Sequence, residues 1–347
     1  MPSDSANRGI PASGISTIRD VASHAGVSAA TISNYINDTK PISPKTRRKV
    51  EAAIAELNFV PNNASRVMRG GRNSAIGFVV PDLPDPFFAE VARGLEDAAR
   101  SLGYVLVACN TYGDFDIERQ YITALAEMRV DGVVVFPASS KSKPTHLSLL
   151  RSTGATLVLL GAVQGESDSC SVSFNDEKGG QIAMEHLLSL GHRNIVLVGG
   201  PGGEREIAAR FAGAEKAYVA AGLDPADLRR IESTGTSIAA RAEVGTRIAS
   251  MTSRPTAIFC ASDSLALAAQ GAMMRLGLNV PHDVAIVGYN DIDQTQEGPV
   301  PISTVHVPKY EMGRTAAHML MREAEPGHVH EHVLFEPTLV ARSSTLG

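Results

Sequence analysis

The stretch Thr17-Ile-Arg-Asp-Val-Ala-Ser-His-Ala-Gly-Val-Ser-Ala-Ala-Thr-Ile-Ser-Asn-Tyr-Ile-Asn37 decides the fold of the N-terminal region. Ile18, Val21, Ala22 and Ala25 recur at helical spacing, and Gly26, free to adopt positive φ, ends that helix. Val27 is placed to plug the corner between two helices. Ser28 reads as the N-cap of a second helix in which Ile32 and Ile36 face inward while Ala29, Ala30, Ser33 and Asn34 stay outside. A third helix opens at Ser43 with Pro44 at its first position and carries Val50, Ala53, Ile54 and Leu57 on one face. The pattern predicts a tri-helical helix-turn-helix over residues 16–60 behind a polar, disordered tail, 1–15. An ordinary three-helix bundle would show the same spacing; the alternative places the second helix in a DNA major groove, its small N-terminal residues letting the backbone approach the bases.

Charge separates the two readings. The 347-residue chain is 44% hydrophobic and 20% charged, the profile of a globular protein of two or three domains. Its net charge of −5 argues against a polyanionic partner, yet residues 1–74 hold ten basic and five acidic residues, a net of +5 that leaves −10 for the rest. A basic head supplies the sequence-independent attraction to phosphate. No apolar stretch at the N-terminus reads as a secretory signal and no run of about 18 apolar residues reads as a membrane span, so a cytoplasmic protein is expected. Cys109, Cys170 and Cys260 fit neither a disulfide framework nor a paired-cysteine knuckle and are expected as small buried residues. Tryptophan is absent, against a base-stacking platform for single strands.

From Ala75 the chain turns to apolar runs separated by helical segments: 75–80, 104–108, 132–136 and 156–160, then 194–198, 257–260 and 284–287. These read as buried parallel strands of two doubly wound α/β lobes, with a ligand cleft where the strands' carboxyl ends face one another. Gly199-Gly-Pro-Gly-Gly203 lacks the lysine and the spacing of a phosphate loop, so no nucleotide site is expected. His328, His330 and His332 alternate as on one face of a surface strand; with no cysteine or carboxylate cluster beside them in sequence, no metal and no cofactor are expected. No nucleophile elbow, zinc-protease or kinase motif points to an enzyme. Pro61 followed by Asn62 and Asn63, with Gly70-Gly71 beyond, marks a short hinge helix or a flexible basic linker over 61–74.

Thr17-Ile-Arg-Asp-Val-Ala22, Ala25-Gly-Val-Ser28, Thr31-Ile-Ser33, Asn37, Ser43, Thr46-Arg47, Val50, Ala53, Glu56-Leu57 and Val60-Pro-Asn62 closely resemble the head of the LacI/GalR repressors, and the likeness runs to about residue 343. It implies an all-α helix-turn-helix head on a periplasmic-binding-protein-like body whose chain crosses between lobes near Phe174, Val307 and Pro337. The lobes would then be 75–174 plus 308–336, and 175–307 plus 337–347. It further implies a homodimeric transcription regulator, read as a repressor, on a pseudo-palindromic double-stranded operator, switched by a small-molecule effector in the cleft. Chain end and family pattern together suggest no tetramer-forming tail. Base readers are expected at Ala29, Ala30 and Asn34, with Ser28 and Thr31 nearer the phosphates and Thr17, Asn62, Ser65 and Arg66 completing the DNA contacts. Met68 stands where the family wedges a leucine into the minor groove.

For the effector the resemblance points to Phe87, Phe88, Arg210, Ser262 and Asp263. The family's Asp-Asn appears as Phe174-Asn175 and its Gly-Tyr-Asp as Gly288-Tyr-Asn290. Losing two carboxylates from a pocket that keeps Arg210 predicts a ligand with a flat or apolar part, or an anionic group for the arginine, rather than a plain hexose, unless Asp176 or Asp291 takes over. The alternative from another class is a sugar-like small-molecule binder acting without DNA.

Overall fold

The computed structural model describes residues 16–37, 39–60, 73–138, 145–161, 168–200, 205–233 and 238–346. The chain divides into two compact units, 1–73 and 74–347. The tail and the hinge residues Asn62, Ser65, Arg66 and Met68 lie outside the described residues.

In the first unit, α1 (Ile18–Ala25), α2 (Ala29–Asn37) and α3 (Pro44–Glu56) follow the expected pattern. Thr17 and Asp20 form a reciprocal capping box, and Gly26 closes α1 at φ 66°. Thr31 N donates to Ser28 Oγ at 3.1 Å, the cap expected for α2. Val21, Ala22, Ala25, Ile32, Val50 and Ala53 form a small core joined by Phe59, with Val27, Ile36, Ile54 and Leu57 packed around it. Burying Ile32 completely stabilises this bundle by about 1.5–3 kcal/mol relative to leaving it exposed.

The second unit holds two six-stranded sheets. The first combines β1 (Ala75–Val80), β2 (Val105–Asn110), β3 (Gly132–Val135), β4 (Thr156–Leu160), β5 (Cys170–Phe174) and β11 (His332–Phe335) in the order β11-β5-β4-β3-β1-β2, all parallel. The second combines β6 (Ile195–Gly199), β7 (Arg229–Glu232), β8 (Ala257–Cys260), β9 (Ala285–Asn290), β10 (Ser303–His306) and β12 (Thr338–Val340) in the order β12-β10-β9-β8-β6-β7. Only the β10–β12 pair in it is antiparallel. The chain passes from sheet to sheet after Phe174, after His306 and after Phe335, so three short connections join the halves.

Five strands escaped the reading by apolar runs, for a common reason. β7, β11 and β12 lie at sheet edges, where part of each strand faces solvent, and serine or threonine interrupts the apolar residues of β5 and β10, so none presents a continuous apolar run. The histidines differ from expectation too: only His332 belongs to β11. A turn through Gly327, at φ 79°, folds His328 and His330 back toward Cys170 instead of extending them along the strand.

Helices cover both faces: α4 (Pro86–Ser101), α5 (Phe115–Glu127), α6 (Ser148–Ser152), α7 (Asp176–Ser189), α8 (Arg205–Ala220), α9 (Ile238–Ala249), α10 (Asp263–Arg275), α11 (Gln294–Glu297) and α12 (Lys309–Glu323). None is long and apolar enough to cross a membrane among the described residues. Helices α7 and α8 approach until a Cβ on Gly180 would stand 1.7 Å from the Arg210 carbonyl and one on Gly213 1.8 Å from that of Glu177. That contact brings Arg210 beside Asp176.

Candidate functional site

The first unit presents a basic surface around a helix of small residues. Ser28, Ala29 and Ala30 are exposed at the start of α2, and Thr31 and Asn34 are half-buried one turn further on. Asn34 Oδ1 accepts from Thr39 Oγ1 at 3.0 Å, which holds its amide beside the α2–α3 connection. Lys45, Arg47, Arg48 and Lys49 are exposed on α3, with the Arg47 guanidinium 5.3 Å from the Tyr35 ring centroid. Thr17 is occupied in the capping box and remains exposed.

In the second unit the carboxyl ends of the first sheet carry a chain of aromatic rings. Phe87 and Phe88 open α4 after β1, Phe136 follows β3, Phe174 ends β5 and Phe335 ends β11. Ring centroids stand 5.0 Å apart for Phe87–Phe88, 6.1 Å for Phe87–Phe174, 5.2 Å for Phe88–Phe136 and 6.3 Å for Phe174–Phe335. The first three pairs meet edge to face, the arrangement the ring quadrupoles favour. Phe136 and Phe335 were not foreseen; Phe136 closes an apolar run and was readable, whereas Phe335 depends on β11.

The polar residues expected in the cleft are more committed to the protein than the sequence implied. Arg210 is buried; its Nε donates to Asp176 Oδ1 at 2.8 Å and Nη1 to the Ala261 carbonyl at 2.6 Å, and the guanidinium lies 3.8 Å from the Tyr289 ring centroid. Burial opposes its charge, but Asp176 and Tyr289 outweigh it and raise the pKa, so Arg210 stays protonated. An arginine already paired with a buried aspartate offers an anionic ligand less net charge than the sequence implied.

Asp263 is turned inward. Its carboxylate accepts from Ile292 N at 2.9 Å and from Thr304 Oγ1 at 2.6 Å, with no exposed surface, so it ties the start of α10 to β10 and to the turn after β9. Burial pushes its pKa up to about 7 against the two donors. Ser262 caps α10 through Leu265 N at 3.4 Å. Asn175 caps α7 through Lys178 N at 3.1 Å while its Nδ2 donates to Glu336 Oε1 at 3.0 Å.

Asn290 stands apart. It ends β9 at φ 109°, followed by Asp291 at φ 57°, two non-glycine residues in the left-handed region. The buried Lys309 holds both in place, donating from Nζ to the Asn290 carbonyl at 2.6 Å and the Asp291 carbonyl at 2.8 Å. Asp291 is spent on Arg342 Nη2 at 2.6 Å and His306 Nδ1 at 3.0 Å. Asn290 Oδ1 is buried without a hydrogen-bond partner among the described residues, an arrangement costly unless something supplies a donor.

A helix-turn-helix unit followed by a body of two parallel-sheet halves has the architecture of a ligand-responsive DNA-binding regulator. Residues 17–62 match the model of bacterial regulatory proteins of the lacI family, and residues 184–345 match a periplasmic binding protein-like domain. The chain is 34% identical over 332 residues to the HTH-type transcriptional repressor PurR of Photobacterium profundum, covering 95% of this chain and 98% of that protein. Among solved structures, a lac repressor dimer bound to operator and the anti-inducer ONPF superposes with a TM-score of 0.82 at 26% identity, covering 96% of this chain and all of that one. A transcriptional regulator CelR–cellobiose complex superposes with a TM-score of 0.67 at 30% identity over 95% and 99% of the two chains. The chain belongs to the LacI family of transcriptional regulators.

Proposed function

We propose that the protein is a transcriptional repressor whose heads, paired in a homodimer, read the half-sites of a pseudo-palindromic operator and whose affinity for DNA is set by a small molecule between the lobes. The observation that carries the DNA half of this reading is the exposed Ser28-Ala29-Ala30 corner beside four exposed cations of α3. Small side chains admit the backbone to the major groove, and the cations meet phosphate. Ala29, Ala30 and Asn34 are the proposed base readers, with Ser28, Thr31 and Thr17 at the backbone. Asn62, Ser65 and Arg66 are the proposed hinge contacts, and Met68 the minor-groove wedge. Relatives of known structure include a repressor dimer on its operator, and one short recognition helix per head makes two-fold pairing the economical way to lengthen the site. The family's setting is the cytoplasm.

For the body we adopt the division into 75–174 plus 308–336 and 175–307 plus 337–347. The effector proposed is a flat or apolar-faced neutral molecule that stacks on the phenylalanine wall and donates a hydrogen bond to Asn290 Oδ1. Relatives bind cellobiose and ribose; here Phe174 in place of an acceptor favours a ligand with fewer hydroxyls on that side. Gel shifts on the DNA flanking the gene, across salt concentrations, test the first half: sequence-selective retention that weakens steeply with salt is expected, and retention indifferent to sequence refutes operator recognition. Calorimetric titration tests the second: tight binding of a plain hexose that is lost in Phe174→Asp overturns it.

A further inference from the structure

We propose that Cys170, His328 and His330 form a binding site for a borderline divalent transition cation of the Zn2+ class. Cys170 opens β5 and is fully buried, and the two imidazoles fold over it from the turn between α12 and β11. Its Sγ stands 3.1 Å from His328 Nε2 and 3.9 Å from His330 Nδ1, and the three atoms lie within 4.8 Å of one another. Metal–ligand lengths of about 2.3 Å for sulfur and 2.0–2.1 Å for nitrogen place tetrahedral S···N pairs at about 3.6 Å, between the two distances found. Thiolate with two imidazoles suits zinc or cobalt and disfavours magnesium or calcium.

The surroundings favour a cation. Glu331 N points at the sulfur from 3.5 Å, a donor that stabilises thiolate. Glu323 brings a carboxylate oxygen to 3.8 Å from His330 Nδ1, adding negative charge beside the cluster, while its other oxygen is anchored by Leu157 N at 2.9 Å. Of the nearby cations, Arg322 is paired with Glu331, and Arg151 is held by the Asp168 carbonyl and Ser169 Oγ. A thiol-to-imidazole hydrogen bond needs one histidine; two rings converging on one sulfur, 5.8 Å apart between centroids, fit an ion better. On binding, the thiol proton leaves to solvent, and the cation clips the turn that leads into β11 onto the start of β5. Strand β11 carries Phe335 of the aromatic wall.

The test is titration of the reduced, chelator-treated full chain with Co2+. One equivalent should produce an intense near-ultraviolet thiolate-to-cobalt band with the strong visible bands of tetrahedral cobalt, abolished by Zn2+. Zinc at about 100 times its Kd should raise the melting temperature by about 5 °C. Cys170→Ser should lose the near-ultraviolet band, and His328→Ala with His330→Ala, at partly exposed positions that spare the fold, should weaken binding at least tenfold. A spectrum that stays that of aqueous cobalt, or a band that survives the double histidine variant, overturns the site.

Discussion

Asp85 and Ser264 meet across the cleft: the serine hydroxyl, on α10 of the second sheet's half, donates to Asp85 Oδ2 at 3.1 Å. The other oxygen of Asp85 caps α4 through Phe87 N at 2.9 Å, so one carboxylate both closes the cleft and starts the helix bearing the aromatic wall. Ser264→Ala removes only the closure, about 0.5–1.5 kcal/mol. It should lower the melting temperature by no more than a few degrees while increasing the radius of gyration of the ligand-free protein in X-ray scattering. An unchanged radius would show that the bond does not hold the lobes together. Asp85→Ala should additionally lose the cap, about 1 kcal/mol more.

Two glycines on helices should respond in opposite directions. Gly180→Ala drives a methyl group into the Arg210 carbonyl and should cost about 2–3 kcal/mol in urea unfolding as α7 and α8 part. Gly271 on α10 meets nothing nearer than Arg275 Nη1 at 3.4 Å, so Gly271→Ala should stabilise by about 0.5–1 kcal/mol through helix propensity and unfolded-state entropy.

Arg210→Ala strands the Asp176 carboxylate in the interior and should destabilise by about 3–5 kcal/mol. Adding Asp176→Ala should restore part of that loss; a double variant as unstable as the sum of the singles would mean the two do not act as a pair.

Asp291 governs acid stability of the 290–291 turn. Although burial alone raises it, its bonds with His306 and Arg342 bring the folded pKa down to about 2 from 3.8. The charged carboxylate thus contributes stability at every pH above about 4, up to about 2 kcal/mol, and that contribution disappears as pH falls from about 4 to 2. Asp291→Asn should flatten this part of the stability profile in urea titrations from pH 2 to 5.

In the head, Asn34→Ala should reduce discrimination between operator and altered operator by about 1–3 kcal/mol. Competition gel shifts measure it, and unchanged selectivity removes Asn34 from the base readers.

The head was readable almost residue by residue because each of its devices is local: a cap, a left-handed glycine, a core stripe of period 3.6. Strands with continuous apolar runs were equally plain, since burial on both faces leaves no choice of composition. Side-chain partnerships were not. Nothing in spacing shows that Arg210 would be claimed by Asp176, 34 residues away, or that Asp263 would face inward to Thr304. Phe174 was legible as a departure, yet its company with Phe335 required a strand too polar and too exposed to betray itself. Cys170 and the two histidines are some 160 residues apart, beyond any spacing rule for metal ligands.

Lys309 sits at the root of α12, the helix the chain enters on returning to the first sheet's half, while its ammonium grips two carbonyls at the end of β9 in the other. It therefore works as a crank pin. A rotation of one lobe about the 306–309 connection must drag the 290–291 turn with it or break two charge-assisted hydrogen bonds. If the effector meets Asn290 as proposed, its occupancy is tied through Lys309 to the angle between the lobes, so a ligand that touches that one side chain would gain leverage over the whole body.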